Sequence, residues 1–159
     1  MTLTAVQLRV EPSEVAMAVY ALVAYFILYF VFLSNQSATS QLLVRKYKKR
    51  QEKFVKYYNT KDPSQLTADR AVGNMLEQMP VFLTGYFAAM VTAAMAGESF
   101  RWVNYAAFAY TASRSMYLVA FKNNASAAGI KPGILLATLP GYVVILYHFY
   151  FAVTTVTAM

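Results

Sequence analysis

Three polar side chains at the entrance of an apolar stretch have the spacing of a ligand-binding helix face. Arg70, Asn74 and Glu77 stand at positions i, i+4 and i+7 of one segment, so a helix would place all three on one side within about 10 Å of rise. Arginine offers a planar fork to a carboxylate, asparagine bonds an amide, and glutamate accepts from an ammonium. This polar strip could therefore bind a small peptide with a carboxylate, amides and a free amine.

The same spacing also fits a structural role, in which the three side chains bond one another and neighbouring helices. Arg114 helps to decide between the ligand-binding and the structural role, because it lies inside another apolar run. A membrane arginine is costly and usually faces the bundle interior with a partner. We expect Glu77 to be that partner, with Asn74 as a second candidate. Tyr117 follows Arg114 on the same helix face.

The elements that carry these residues are apolar runs long enough to cross a membrane. Of the 159 residues, 58% are hydrophobic and 13% are charged, whereas about a quarter of the residues in soluble domains are charged. Four runs have the length of a spanning helix: Val15–Leu33, Met79–Ala96, Trp102–Phe121 and Gly133–Met159. The expected fold is all-α, an integral membrane four-helix bundle in a single domain 1–159, with helices at about 14–58, 63–96, 102–121 and 132–156.

Local signals predict the ends of the first two helices. Nothing between Ser37 and Tyr58 breaks a helix, so the first helix should continue past the hydrocarbon into a basic stretch. Asp62 suits the N-cap of the second helix, Pro63 its first helical position, and Gln65 the capping-box position.

Basic residues are concentrated in the connections after the first and third runs. The first connection holds Arg45, Lys46, Lys48, Lys49, Arg50, Lys53, Lys56 and Lys61. By the positive-inside rule these connections face the cytoplasm, and both termini lie on the opposite side. Topology and anionic lipid headgroups account for the net charge of +7, so nucleic acid is not an expected partner. We expect the endoplasmic reticulum membrane or another organelle membrane as the location.

The chain has no cysteine and one histidine. This composition excludes a disulfide framework and argues against a zinc site or a Cys–His or Ser–His dyad. We therefore expect no metal site. His148 is expected to be an interfacial or packed histidine without a chemical role.

The segment RAVGNMLEQMPVF (Arg70–Phe82) resembles the helix-two signature of the MAPEG family, the membrane-associated proteins in eicosanoid and glutathione metabolism. It has the family's Arg-Ala, Asn, Glu, Pro and Phe in order, and its Asn-x-Leu-Glu form is most similar to the microsomal glutathione S-transferase branch. The basic segment VRKYKK (Val44–Lys49) and the pair of Arg114 and Tyr117 also agree with the family. The resemblance covers nearly the whole chain.

The resemblance implies a homotrimer that binds glutathione between helices of adjacent subunits, near the cytoplasmic face. It assigns the carboxylate, amide and amino groups of glutathione to the three residues of the polar strip, in chain order. It adds Arg45, Arg114 and Tyr117 as further glutathione ligands. A lipophilic electrophile or a lipid hydroperoxide would reach the thiolate from the bilayer.

The chain differs from catalytic relatives near the start of the fourth helix. An arginine stabilises the thiolate there in catalytic members, whereas this chain has Lys131, which supplies charge without a guanidinium fork. Because thiolate formation needs nearby positive charge or donors, Lys131 and Arg114 are the candidates for thiolate stabilisation. Phe121 stands where a tyrosine often follows the Arg-Tyr pair, and Gly73 stands where some relatives have a basic or polar residue.

Two functions fit these features. The first is a glutathione transferase or peroxidase that acts on membrane-soluble substrates. The second is a non-catalytic family member that serves as a lipid-binding or structural subunit of a larger membrane complex. A small channel or transporter is disfavoured, because only Glu77 and Arg114 are charged within the expected hydrocarbon region and no inverted repeat is visible.

Overall fold

Helix formation follows the apolar runs. A computed structural model describes residues 10–56, 59, 61–122 and 132–159, and none of these lies in a strand. The helices are α1 (Pro12–Lys49), α2 (Pro63–Ala96), α3 (Arg101–Ser115), α4 (Tyr117–Lys122) and α5 (Pro132–Ala158). In the described chain, three helices are long and apolar enough to cross a membrane: α1, α2 and α5. The expectation of an all-α membrane bundle is confirmed.

Helix α1 ends at Lys49, nine residues before the end predicted from the sequence. Gln51 takes the left-handed conformation, with φ of 57°. The amide of Glu52 donates to the carbonyl of Tyr47 at 3.1 Å, and the amide of Gln51 donates to Lys48 at 3.2 Å. These two bonds form a Schellman end. The sequence hides this end because glutamine stands where glycine is the usual signal.

The start of α2 lies at Pro63, as predicted, but the predicted capping box is not formed. Asp62 makes no side-chain cap. Its carboxylate instead accepts from the Tyr47 hydroxyl and from the Asn59 amide, both at 2.9 Å. Gln65 also points to α1, where its amide oxygen accepts from the Ser40 hydroxyl at 2.9 Å. The two side chains are therefore used to join α1 to α2.

The third apolar run forms two helices, where the sequence predicts one at 102–121. The interruption is a tightened turn at Met116, whose amide donates to Ser113 at 3.3 Å and whose carbonyl accepts from Val119 at 3.1 Å. Bonds of this i to i−3 type mark a local 3₁₀ turn. The turn separates α3 from α4, which begins at Tyr117.

Aromatic rings fill the centre of the bundle, where α2 packs against α5 and α3 lies beside both. Phe82 and Tyr110 stack with centroids 3.9 Å apart and an interplanar angle of 4°. Tyr25 of α1 lies 5.1 Å from Phe82 between ring centroids. These three rings are buried and join α1, α2 and α3 around one contact.

His148 is fully buried on α5 and packs between rings. Its centroid lies 5.3 Å from that of Tyr86 and 5.9 Å from that of Phe82. Its Nε2 lies 3.2 Å from the carbonyl oxygen of Val103 on α3. Of the two expectations for this histidine, the structure shows the packed one.

Candidate functional site

The polar strip lies on the face of α2 that points away from the helix bundle. Arg70 and Glu77 are exposed and Asn74 is half-buried. The buried face of the same helix stretch is carried by Ala71, Met75 and Gln78. The Asn74 amide donates to the carbonyl of Arg70 at 2.9 Å, so one strip residue also bonds its own helix. Within the described chain the three side chains do not bond one another, and the Arg70 guanidinium and the Glu77 carboxylate are exposed.

Arg114 lies inside the bundle and does not reach the polar strip. Its side chain is fully buried, and its guanidinium donates to the amide oxygen of Gln78 and to the Tyr117 hydroxyl. The expectation that Glu77 is the partner of Arg114 is wrong. Neighbouring residues on a helix point about 100° apart, and it is Gln78 that faces inward while Glu77 faces outward.

Aromatic rings supply the rest of the Arg114 environment. The Arg114 Cζ atom lies 4.9 Å from the Tyr110 centroid and 5.0 Å from the Tyr117 centroid. Ring faces attract a guanidinium, and this attraction strengthens when water is excluded. In the described chain Arg114 has no carboxylate partner, and its Nε atom is buried without a hydrogen bond. Its charge is held by one amide oxygen, one hydroxyl and two rings.

Helix α5 completes this interior network through two positions. A β-carbon at Gly141 would lie 2.8 Å from Arg114 Cζ, so only glycine lets α5 approach the guanidinium this closely. The Tyr117 hydroxyl lies 2.7 Å from Thr138 Oγ1, and Thr138 in turn donates to the Ile134 carbonyl at 2.7 Å. We call the set of Gln78, Arg114, Tyr117 and Thr138 the interior network; it links α2, α3, α4 and α5.

A second set of polar contacts fixes the first third of α2 against α1. Asp69, which precedes Arg70, accepts from the Gln36 amide at 2.8 Å and from the Gln65 amide at 2.7 Å. Gln65 also accepts from Ser40, as described above. Neither this set of contacts nor the role of Gln78 was predicted from the sequence. The sequence feature that could have indicated the contacts between α1 and α2 is a matched i, i+4 spacing on the two helices, of Gln36 with Ser40 and of Gln65 with Asp69.

The remaining predicted ligands that the structure describes do not lie at the strip. Arg45 is exposed on α1. Gln36 and Ser40 bond residues of α2, and helical spacing places Arg45 about 180° around α1 from Gln36. Lys131 and the side chain of Phe121, which belong to the predicted thiolate-stabilising end, lie outside the described residues.

The polar strip is an open surface and does not enclose a cavity within the described residues. An exposed guanidinium, an amide and a carboxylate along one helix face suit a zwitterionic, peptide-like molecule. This face points away from the other helices of the chain, so enclosing such a molecule would require a further surface. The interior network contacts the buried face of α2 through Gln78, and the strip lies on the exposed face of the same helix.

Comparison with protein families matches residues 15–154 to the MAPEG family. No curated protein and no solved structure matches the chain. The family match covers most of the chain, including α2 with the polar strip and α3 with Arg114, and it agrees with the helical membrane architecture. This protein is an integral membrane protein of the MAPEG family.

Proposed function

We propose that this protein is a membrane-embedded glutathione-dependent transferase or peroxidase that acts on lipophilic electrophiles or lipid hydroperoxides. The observation that carries the proposal is the polar strip: the family's helix-two residues Arg70, Asn74 and Glu77 share one open face of α2. Their chemistry matches the carboxylate, amide and amino groups of glutathione. Family membership supports a role in glutathione or eicosanoid metabolism.

The site we propose lies between subunits of a homotrimer, near the cytoplasmic face. The outward direction of the strip supports this, since a neighbouring subunit is the nearest source of a covering surface. Arg45 also points away from its own α2, so we propose that it contributes to a site of a neighbouring subunit. We propose that Arg114 and Tyr117 act mainly from inside the bundle, where they hold α2.

The chemistry of the proposed reaction requires a thiolate. In conjugation the sulfur forms a bond to the electrophilic carbon, the leaving group departs with its bonding electron pair, and the thiol proton passes to solvent. In the peroxidase reaction two glutathione molecules are oxidised to the disulfide while the hydroperoxide is reduced to an alcohol and water. We propose that Lys131 supplies the positive charge that favours the thiolate.

The second candidate is a non-catalytic family member that binds lipid or serves as a structural subunit of a larger membrane complex. The buried position of Arg114 favours it, because a guanidinium engaged by Gln78 and two rings is not presented to a thiolate. Such a protein would have the same fold and the same polar strip but would not catalyse the reaction.

A test for the thiolate of bound glutathione distinguishes the two candidate functions. An enzyme is expected to raise the thiolate absorbance of added glutathione at neutral pH and to conjugate a lipophilic aryl halide. Lys131→Ala should lower both signals, whereas Lys61→Ala, a substitution at an exposed lysine before α2, should change neither. Glutathione that binds without a thiolate signal and without conjugation would support the non-catalytic candidate.

A further inference from the structure

A cavity of about 320 Å³ lies between α1 and α2, at the end of the bundle opposite the polar strip. Each helix contributes a face with i, i+3, i+4 and i+7 spacing, which starts at Val15 on α1 and at Phe87 on α2. Val10, before α1, and Phe100, between α2 and α3, complete the lining. All the lining residues are apolar, and we call this cavity the apolar groove.

The apolar groove exists because small residues stand where the two helix faces meet. Ala18 of α1 is buried and Ala94 of α2 is half-buried, and an alanine side chain ends at its β-carbon and leaves space beside it. Two larger residues on the same faces stay open to the surroundings, since Val19 is 51% and Val91 is 55% exposed. The groove is therefore a channel in the outer apolar surface of the bundle.

The apolar groove has the direction and the depth of an acyl chain in one leaflet. The apolar run of α1 begins at Val15 and that of α2 ends at Ala96, so these residues mark the edge of the hydrocarbon. The lining of α1 reaches from Val15 to Leu22, which is about 10 Å of helix rise. One leaflet contributes about 15 Å of hydrocarbon. An acyl chain that follows the two helices fills the groove and stays within that leaflet.

A cation stands at the outer end of the groove. Arg101 follows Phe100, and its side chain is 56% exposed. Its Nε atom lies 3.8 Å from a carboxylate oxygen of Glu14, and its guanidinium makes no hydrogen bond with a described residue. The Glu14 carboxylate is already bonded by the Phe100 amide at 2.9 Å and by the Ser99 hydroxyl. The Arg101 guanidinium therefore has donors to offer to a ligand.

Two exposed acids flank the same end of the groove. Glu11 follows Val10 of the lining, and Glu98 stands two residues before Phe100. A guanidinium binds a phosphate, and carboxylates bind an ammonium but repel a headgroup with a net negative charge. The charges at this end therefore match a headgroup that carries both a phosphate and an ammonium.

We propose that the apolar groove binds a zwitterionic phospholipid with a primary ammonium group. One acyl chain lies along α1 and α2, Arg101 binds the phosphate, and Glu11 and Glu98 bind the ammonium. The site is separate from the polar strip, because Phe87 lies ten residues beyond Glu77, about 15 Å along α2. Glutathione takes no part in it.

Native mass spectrometry of the full-length protein tests this proposal. The purified protein is titrated with phosphatidylethanolamine and, separately, with phosphatidylglycerol of the same acyl chains, and retained lipids are counted per chain. We expect phosphatidylethanolamine to be retained at one site per chain. Phosphatidylglycerol should bind about threefold more weakly or worse, because it lacks the ammonium that the exposed acids attract. Equal retention of the two lipids would overturn the proposal.

The headgroup contacts are tested by charge-neutralising variants. Glu11→Gln/Glu98→Gln should abolish the preference for phosphatidylethanolamine, whereas Glu52→Gln, at an exposed acid beyond α1, should keep it. Arg101→Gln should weaken the binding of both lipids about fivefold, the contribution of one basic residue near a membrane surface. Arg101→Lys keeps the charge and should retain most of the affinity. An unchanged preference in the double variant would overturn the headgroup assignment.

The acyl contact is tested by filling the groove. Ala94→Phe places a ring in the groove and should weaken phosphatidylethanolamine binding about tenfold or more, because the ring takes the place of several methylene groups. The matched control is Ala16→Phe, at an exposed position of α1 near the same edge of the hydrocarbon but outside the groove. It should change binding by about twofold or less. An equal loss in both variants would overturn the proposal.

Two further outcomes identify other occupants of the groove. The free headgroup phosphoethanolamine, at the concentration of the lipid, should leave the lipid bound because it has no acyl chain. Displacement by phosphoethanolamine would overturn a lipid site. A parent protein that retains no lipid, together with an Ala94→Phe variant that dissociates into single chains, would show that a second copy of the chain covers the groove and would also overturn the proposal.

Discussion

Gln78 and Glu77 are neighbours in the sequence and point about 100° apart around α2, Gln78 into the bundle and Glu77 out of it. Gln78 is buried and accepts a hydrogen bond from the Arg114 guanidinium, whereas Glu77 is exposed on the polar strip. The contact between Gln78 and Arg114 is therefore compatible with only one rotation of α2 about its axis. A rotation that brought Glu77 to Arg114 would turn the strip into the bundle.

Removal of the Gln78 amide should destabilise the fold. Gln78→Leu leaves the buried Arg114 guanidinium without its amide acceptor, and hydrogen bonds to charged groups contribute about 1.5–3 kcal/mol. Thermal unfolding in detergent, followed by circular dichroism, should show a lowered midpoint. Gln78→Glu keeps an acceptor at the same place and should retain most of the stability. Equal midpoints for Gln78→Leu and the parent protein would contradict the contact.

Substitution of two glycines by alanine should affect the stability of the fold differently. Gly141→Ala adds a methyl group against the Arg114 guanidinium, and overpacking of this kind costs about 1–3 kcal/mol. Gly73→Ala is the matched control, because a β-carbon there would meet nothing within 4 Å. Since alanine favours a helix by about 0.5–1 kcal/mol over glycine, Gly73→Ala should leave the protein as stable as before or more stable. A comparison of the two unfolding midpoints checks this.

The early end of α1 predicts a stabilising substitution. Gln51 holds a left-handed conformation, which costs a residue with a side chain about 1–2 kcal/mol. Gln51→Gly should therefore raise the unfolding midpoint. Glu52→Gly, at the next exposed position, lacks this benefit and should lower the midpoint slightly. A lowered midpoint for Gln51→Gly would show that α1 continues past Lys49.

The buried amide of Asn104 should stabilise the end of the bundle opposite the polar strip. Asn104 accepts from the Tyr86 hydroxyl at 2.7 Å and donates to the Glu14 carbonyl at 2.8 Å. Asn104→Leu leaves the Tyr86 hydroxyl buried without a partner, at a cost of about 1–3 kcal/mol. Addition of Tyr86→Phe to this variant should recover part of the lost stability. No recovery in the double variant, measured by thermal unfolding, would contradict the hydrogen bond.

The sequence was sufficient to predict the features that depend on hydrophobic pattern and helix spacing. It predicted an all-α membrane bundle, the start of α2 at Pro63, and the common face of Arg70, Asn74 and Glu77. These follow from local rules that tertiary contacts did not override.

Other features depend on contacts between distant segments. The partner of Arg114 is Gln78 because the packing of α2 against α3 and α5 sets the rotation of the helix. The end of α1 depends on one glutamine in a conformation that its type does not predict. Asp62 and Gln65 bond side chains of α1 instead of capping α2. This could not be predicted without knowing where α1 lies.

The central claim is that the polar strip binds glutathione, and calorimetric titration of the purified protein with glutathione tests it most directly. Arg70→Gln, Asn74→Ala and Glu77→Gln should each weaken binding about tenfold or more, since hydrogen bonds to charged groups contribute about 1.5–3 kcal/mol. The controls Arg50→Gln and Glu52→Gln, at exposed positions beyond α1, should bind within about twofold of the parent protein. Unchanged affinity in all three strip variants would contradict the claim.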